Sequence, residues 1–196
     1  MHHYLDITLL PDDGIGDYFL WGKLYQQLHL ALVEHNQSKN GNIGISFPEY
    51  SIKPPQLGVK LRIFAPTESE LALLNIGKWL NRFADYCHIS SIKAVPEHTK
   101  FALFSRKQCQ TNPERLARRR AKRKGETLEQ AMQHFAGFKD ESSKLPFIAM
   151  ESLSSANANG DANKFRLIIE QKILPEHQPG NFNCYGLSQD ATVPWF

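Results

Sequence analysis

The chain has 196 residues, 41% apolar and 22% charged, which leaves room for one large globular domain or two small ones. Its three cysteines (Cys87, Cys109 and Cys184) are odd in number and far apart, which excludes a disulfide framework or a cysteine-based zinc site. No run approaches the length of a membrane span, and the first residues lack the pattern of a signal peptide. We therefore expect a cytoplasmic protein without a membrane partner.

The first half of the chain alternates between strand-like and helix-like patterns. Residues 3–9 place Leu5, Ile7 and Leu9 on one side, which predicts a half-buried strand. By the same reasoning we expect a turn at 11–16, a helix at 18–34, a loop at 36–42 and a strand at 43–47. A proline-rich connection at 51–58 then leads to a strand at 59–64. A helical region at 68–83, broken near Gly77, and a strand at 89–95 complete this half. This β-α-β-β-α-β order predicts an α+β protein with a ferredoxin-like domain over residues 1–96, an arrangement shared by many RNA-binding modules.

The character of the sequence changes after Pro96, and we assign residues 97–196 to a smaller C-terminal α/β domain. Its first predicted element is a basic helix with Asn112 as cap, Pro113 in the first turn and Gly125 as stop. A short amphipathic stretch at 127–135, a polar link through 143 and paired strands at 147–151 and 165–170 follow. The Ser-, Asn- and Gly-rich segment from Ser152 to Lys164 is expected to be a mobile loop.

The positive charge of the chain is concentrated in the basic helix and the residues before it. From Arg106 to Lys124 there are nine Lys or Arg residues and one acidic residue, which gives this segment a charge of +8. The whole chain has a net charge of only +3, so the residues outside the segment sum to −5. Five cations share one helix stripe at i, i+3, i+4, i+7 and i+8 spacing: Arg115, Arg118, Arg119, Lys122 and Arg123. A solvated helix face or a disordered basic tail is the plainer alternative, but a capped, mid-chain stripe of like charges favours a nucleic-acid partner.

The sequence offers little support for metal chemistry. None of the eight histidines pairs with another histidine or a carboxylate at ligand spacing on one helix, and no dense Asp/Glu cluster is present, so we expect neither a metal nor a cofactor. RNA can be cut without a metal, because its own 2′-hydroxyl attacks the adjacent phosphate once a base removes the proton. His29 is the candidate base, although a lone histidine beside an apolar helix face is more often a packed residue.

Short motifs along the whole chain resemble the CRISPR type I-F endoribonuclease that processes precursor guide RNA, a subtype of the Cas6 superfamily. They occur in family order as His-Tyr-Leu-Asp-Ile at 3–7, Gly-Ile-Ser-Phe-Pro at 44–48, Ser-Arg-Lys-Gln at 105–108, Asn-Pro-Glu-Arg-Leu at 112–116, Leu-Pro-Phe at 145–147, Phe-Arg-Leu at 165–167, Cys-Tyr-Gly-Leu-Ser at 184–188 and Val-Pro-Trp-Phe at 193–196. The resemblance implies binding of the repeat stem-loop RNA, a cut at the 3′ base of the stem, and products that end in a 2′,3′-cyclic phosphate and a 5′-hydroxyl.

The resemblance also implies roles for individual residues. His29 corresponds to the catalytic histidine, Ser152 to the serine that holds the 2′-hydroxyl, and Tyr185 to the tyrosine beside the histidine; Ser154 and Ser155 lie close enough to compete for the serine role. The RNA-binding residues it implies are Arg106 and Gln108 at base edges, Arg118, Arg119, Lys122 and Arg123 on the helix in the RNA groove, and Phe165 stacked on the terminal base pair.

Two positions depart from the family pattern. The family histidine directly follows Gly-Lys-Leu, whereas here Gly22-Lys23-Leu24 is followed by Tyr25, and His29 lies about one helical turn further on. Position 122 is Lys rather than Arg, which keeps the charge but not the bidentate fork.

Two other functions remain open from the sequence. One is a hairpin-binding subunit without catalysis, which caps a larger ribonucleoprotein. An enzyme that stays bound to its mature guide RNA would both cleave the RNA and cap the ribonucleoprotein. Such a protein would have protein subunits of a type I-F interference complex as further partners. The other is a DNA-binding regulator, which fits the basic helix but lacks a helix-turn-helix pairing around it.

Overall fold

The computed structural model describes residues 1–11, 14–38, 41–97, 99–109, 113–137, 143–156 and 162–196. The mixture of helices and strands expected from the sequence is confirmed. In chain order the elements are β1 (His3–Leu9), α1 (Asp17–Ser38), β2 (Gly44–Ser46), β3 (Ser51–Ile52), β4 (Pro55–Gln56), β5 (Lys60–Ala65), α2 (Glu68–Leu74), α3 (Ile76–Leu80), β6 (Cys87–Ile89), β7 (Lys93–Ala94), β8 (Lys100–Lys107), α4 (Pro113–Lys124), α5 (Leu128–Gln133), β9 (Phe147–Ala156), β10 (Ala162–Leu174) and β11 (Val193–Trp195).

The first sheet has the strand order β2-β5-β1-β6, with β7 also paired to β1, and its pairs are antiparallel. Two expectations for this part of the chain were wrong. The strand expected at 89–95 is two short strands, β6 and β7, which pair with opposite ends of β1. The second helical region is interrupted at Asn75, whose φ of 45° ends α2, and not at Gly77. The proline-rich connection contains the small β3-β4 pair.

The second sheet has the order β11-β8-β10-β9 and is also antiparallel. Strands β8 and β11 were not predicted from the sequence. It was also wrong to treat the whole of 152–164 as a loop, because β9 continues to Ala156 and β10 begins at Ala162, where the two residues pair. The middle of that expected loop, residues 157–161, lies outside the described residues.

The chain forms two compact units, residues 1–107 with 145–196 and residues 108–144. The first unit contains both sheets and α1 to α3 around one apolar core, with Tyr25, Ile63, Phe64, Ile148 and Leu167 all at most 1% exposed. The domain division expected at residue 96 stays a prediction.

The second unit pairs α4 with α5. The fully buried Ala117 and Ala131 lie on these two helices, and their small side chains allow a close approach. Gly125, with φ of 69°, ends α4 as expected, and a capping box at Thr127 and Gln130 begins α5. The expected cap Asn112 lies outside the described residues.

Candidate active site

His29 lies on α1, half-buried, and its ring nitrogen Nδ1 is 2.7 Å from the carbonyl oxygen of Cys184. A carbonyl oxygen can only accept a hydrogen bond, so Nδ1 must carry a proton. In the neutral imidazole the other nitrogen, Nε2, then has a free lone pair and can accept a proton from a substrate. The backbone of a distant turn thus selects the tautomer that a general base requires.

The ring of Tyr185 is stacked on the His29 ring, with 4.3 Å between centroids and 6° between planes. This contact and the hydrogen bond to Cys184 fix both the plane and the rotation of the imidazole. Burial raises the pKa of the Tyr185 phenol, a nearby Cys184 thiolate raises it further, and the Arg106 guanidinium opposes both effects. The phenol is therefore uncharged at neutral pH.

The turn that carries Cys184 and Tyr185 is held by its own side chains and by neighbouring strands. The Asn183 side-chain oxygen accepts the backbone N–H groups of Tyr185 (2.8 Å) and Leu187 (3.3 Å). Gly186 adopts a φ of 70°, and a Cβ atom there would lie 2.7 Å from a methyl carbon of Ile45. The Gly186 carbonyl also accepts the Ile45 N–H at 3.0 Å. A glycine is required here both for the left-handed conformation and for the close approach to β2.

A second contact joins α1 to the same turn. The hydroxyl of Tyr25, one helical turn before His29, donates to the Tyr185 carbonyl at 2.7 Å. Sequence reasoning missed this residue and Asn183, although the spacing of Tyr25 and His29 places both on one helix face.

Arg106, near the end of β8, lies beside the stacked pair. Its guanidinium carbon is 5.8 Å from the centroid of the Tyr185 ring and 5.4 Å from that of Phe165 on β10. Both distances are within the range of cation–π attraction. The structure therefore brings His29, Tyr185, Arg106 and Phe165 into one continuous row, with a fixed positive charge next to the imidazole–phenol stack. Gln108 follows two residues after Arg106, is exposed and belongs to the second unit.

Strand β9 lies against the same face of α1 that carries His29. Gly22 allows this approach, since a Cβ atom there would lie 2.8 Å from the Ala149 carbonyl oxygen. One turn later, the Gln26 side-chain oxygen accepts the Glu151 N–H at 3.3 Å. Four residues advance about 6 Å along the helix, and two residues advance about 7 Å along the strand. If the two elements continue in step, we expect His29 to lie near the residues that follow Glu151.

Ser152 is the first of those residues and is half-buried in β9. Glu151 pairs with Lys164 and Ala156 with Ala162, so the four residues from 152 to 155 oppose a single residue of β10. Such a bulge bends a strand, and bulges are common beside active sites, where they redirect a side chain. The side chains of Ser154 and Ser155 lie outside the described residues, so the choice among the three serines stays open.

The predicted stripe on α4 is exposed in the second unit. Arg115, Arg118, Arg119, Lys122 and Arg123 all belong to the exposed class. Arg118 forms an ion pair with Glu114 on the preceding turn. Among the described residues, Arg119, Lys122 and Arg123 have no acidic partner. Arg120 differs, because it is less exposed, binds Glu126 through two hydrogen bonds of 3.0 and 3.2 Å, and contacts His134 at 2.9 Å. Arg120 therefore holds α4 to the segment that follows, and Arg119, Lys122 and Arg123 are exposed and available to a polyanion.

Two further properties concern only the described ranges. Within them, no three His, Cys, Asp or Glu side chains cluster in a way that could hold a metal ion. No helix in the same ranges combines the length and apolar character that crossing a bilayer requires.

Comparison with known proteins identifies the family. The model described as "CRISPR-associated protein (Cas_Csy4)" matches residues 4–196. The CRISPR-associated endonucleases Cas6/Csy4 of Escherichia coli (strain UTI89 / UPEC) and Pseudomonas aeruginosa (strain UCBPP-PA14) are 37% and 36% identical over 197 residues, with 100% of each chain covered. A solved structure described as "An RAMP protein binding different RNA substrates" has a TM-score of 0.38 and 11% identity over 98% of this chain and 99% of that one, which adds nothing further. The resemblance found in the motifs is thus confirmed, and the chain belongs to the CRISPR-associated Cas_Csy4 family.

Proposed function

We propose that this protein is a metal-independent endoribonuclease that cleaves CRISPR repeat RNA at the 3′ base of its stem-loop and so generates mature guide RNAs. The observation that carries the proposal is the state of His29. Its Nδ1 donates to the Cys184 carbonyl at 2.7 Å, which leaves Nε2 able to accept a proton. The relatives named as CRISPR-associated endonucleases support the same reaction class.

In the proposed reaction the 2′-hydroxyl of the nucleotide before the cut is the nucleophile. His29 Nε2 takes the proton of that hydroxyl, the 2′-oxygen bonds to the adjacent phosphorus, and the bond from phosphorus to the 5′-oxygen breaks. The departing oxygen takes up a proton, so the products are a 2′,3′-cyclic phosphate and a 5′-hydroxyl. Ser152 positions the 2′-hydroxyl and Tyr185 orients the imidazole. DNA lacks the nucleophile and is not a substrate.

Recognition of the hairpin is assigned to three groups of residues. The exposed cations of α4 neutralise phosphates in the RNA groove, which makes binding dependent on salt. Arg106 and Gln108 read base edges at the foot of the stem, each contributing about 1–3 kcal/mol of discrimination. Phe165 stacks on the terminal base pair and marks where the duplex ends, which is worth about 1–3 kcal/mol if the single-strand value applies.

The architecture fits an RNA-processing role of this kind. The first sheet has the strand order β2-β5-β1-β6, with α1 between β1 and β2 and with α2 and α3 between β5 and β6. This arrangement supports a ferredoxin-like domain over residues 1–96. We assign RNA-hairpin binding to residues 97–196, which contain the basic helix. After cleavage the protein stays bound to the guide RNA as a subunit of a type I-F interference complex.

The experiment that tests the proposal is cleavage of an end-labelled cognate repeat hairpin in excess EDTA. Specific scission at the 3′ base of the stem is the expected result. Tight binding without scission would refute the catalytic assignment and favour a hairpin-capping subunit of a ribonucleoprotein. Scission that requires a divalent metal would refute the metal-free mechanism.

A further inference from the structure

Two side chains on one face of α1 bind two successive carbonyl groups of a single turn. His29 Nδ1–H donates to the carbonyl of Cys184, and the Tyr25 hydroxyl donates to the carbonyl of Tyr185, both at 2.7 Å. Tyr25 and His29 are four residues apart and so lie one above the other on the helix. The turn is therefore attached to α1 at two points.

Attachment at two points constrains the turn more than either bond could alone. Without the Tyr25 bond, the main chain of Tyr185 would have no hydrogen bond to α1 within the described residues, because the bonds of Asn183 lie within the turn and that of Gly186 leads to β2. The second bond fixes the main chain of Tyr185, and with it the ring that stacks on His29 at 4.3 Å. Both contacts that orient the imidazole thus depend on the position of a segment that Tyr25 holds.

The properties of Tyr25 suit this role. It is only 1% exposed, so its hydroxyl has no competition from bulk water. Burial is the main cause that raises the pKa of the Tyr25 phenol well above 10, and charge on Tyr185 or Cys184 would raise it further. The hydroxyl therefore keeps its proton, and remains a donor, throughout the pH range in which a histidine acts as a base.

We propose that Tyr25 is a positioning residue for the general base: its hydroxyl fixes the 184–185 turn and thereby the tautomer and ring plane of His29. The inference rests on the proposed function, since it deepens the role of His29 in RNA cleavage. It gives a purpose to the tyrosine that follows Gly22-Lys23-Leu24, where the family motif has histidine. The alternative is that the Tyr25 hydroxyl only stabilises the fold.

A matched control separates these two roles. Tyr50 is half-buried, whereas Tyr25 is fully buried, but its hydroxyl likewise donates to a backbone carbonyl, that of Ile169 on β10 at 2.9 Å. Tyr25→Phe and Tyr50→Phe each remove one hydroxyl and one hydrogen bond without changing side-chain shape. If Tyr25 acts only on stability, the two variants should behave alike.

The test compares both variants with the wild-type protein in three measurements. The first is single-turnover cleavage of the cognate repeat hairpin across pH 5.5–8.5, and the second is binding of the same hairpin with a 2′-deoxy nucleotide at the cut. The third is the two-bond ¹H–¹⁵N correlation spectrum of the histidine rings, which distinguishes Nδ1–H from Nε2–H tautomers.

We expect Tyr25→Phe to lower the cleavage rate about 10- to 100-fold, the effect of misplacing a reacting group by about 1 Å. The affinity of Tyr25→Phe for the deoxy hairpin should stay within about twofold of wild type. For Tyr50→Phe, both the cleavage rate and the affinity should stay within the same limit. His29 should be the Nδ1–H tautomer in wild type and a mixture of tautomers in Tyr25→Phe. Equal cleavage by the two variants, with unchanged His29 spectra, would overturn the proposal.

The outcome also separates this inference from the proposed function. If the wild-type protein does not cut the hairpin, the proposed function fails, but the His29 spectra of the two variants still decide whether Tyr25 fixes the tautomer. If Tyr25→Phe does not fold, Asn183→Ala tests the step on which the proposal depends, that the turn sets the His29 tautomer, because it removes the acceptor for two N–H groups of the turn. An unchanged His29 spectrum in that variant would count against the proposal.

Discussion

Replacing His29 by alanine removes the group proposed to accept the proton from the 2′-hydroxyl. A positioned general base contributes about 10²- to 10⁴-fold to rate. At about 1.36 kcal/mol for each tenfold change, the barrier should rise by about 2.7–5.4 kcal/mol. The lower bound applies if a water molecule can take the proton in place of the imidazole.

The same change should have a modest effect on stability and almost none on RNA binding. His29 loses one hydrogen bond, worth about 0.5–1.5 kcal/mol, and one ring stack, worth about 0.5–1.5 kcal/mol. The loss of about 1–3 kcal/mol is affordable within the 5–15 kcal/mol typical of a folded protein. The cations proposed to bind phosphates lie on α4 and are untouched by the substitution.

The assay is single-turnover cleavage with enzyme in excess, alongside binding of a non-cleavable hairpin with a 2′-deoxy nucleotide at the cut. His88→Ala is the control, because His88 is an exposed histidine on β6. It should cleave and bind like the wild-type protein. Equal losses of cleavage and binding in His29→Ala would show a structural histidine and refute the reasoning, and so would a cleavage rate close to that of the control.

Three further predictions concern the basic helix, the turn and the buried tyrosine. Lys122→Ala or Arg123→Ala should weaken hairpin binding and flatten the slope of the logarithm of the binding constant against the logarithm of the salt concentration by about 0.7–0.9. The control Lys78→Ala on α3 should change neither. An unchanged slope in the α4 variants would remove α4 from the RNA interface. Gly186→Ala should lower the free energy of unfolding by about 1–3 kcal/mol, because φ at this position is 70° and the new Cβ would collide with Ile45. In the control Gly77→Ala the new Cβ meets no atom within 4 Å, so the loss should be smaller. Equal thermal midpoints for the two variants would contradict this. The pKa of the Tyr25 phenol is higher in the folded than in the unfolded state, so the folded protein keeps this proton to a higher pH. The hydroxyl therefore contributes its full stabilisation below pH about 10 and loses it as pH rises further. The difference in unfolding free energy between wild type and Tyr25→Phe should therefore shrink above pH 10 in chemical denaturation; a difference that grows with pH would contradict the assignment.

The elements that sequence reasoning predicted well have a clear period. Strand β1 alternates between buried and half-exposed side chains from Leu5 to Leu9, and its predicted bounds agree with His3–Leu9. Strand β8 was missed because four consecutive residues, Ala102 to Ser105, are buried, so no alternation marks it. Strand β11 was missed because it has three residues and contains Pro194.

The candidate site could be predicted only in part, since its contacts join distant parts of the chain. His29 and Cys184 are 155 residues apart, and nothing in their local sequences shows that a helix and a turn meet there. The motifs indicated His29 and Tyr185 through family resemblance, but not their stacking or the tautomer. Composition misled at residues 152–156, because Ser and Asn favour loops, yet pairing with β10 holds this segment in a bulged strand.

The most direct test of the account is cleavage of a repeat hairpin that carries one 2′-deoxy nucleotide immediately before the cut, with EDTA in excess. Because the 2′-oxygen is the proposed nucleophile, the protein should bind this hairpin as tightly as the all-ribose one and leave it uncut. The all-ribose hairpin should be cut under the same conditions to a product ending in a 2′,3′-cyclic phosphate. Scission of the deoxy hairpin at the same position would contradict the central claim.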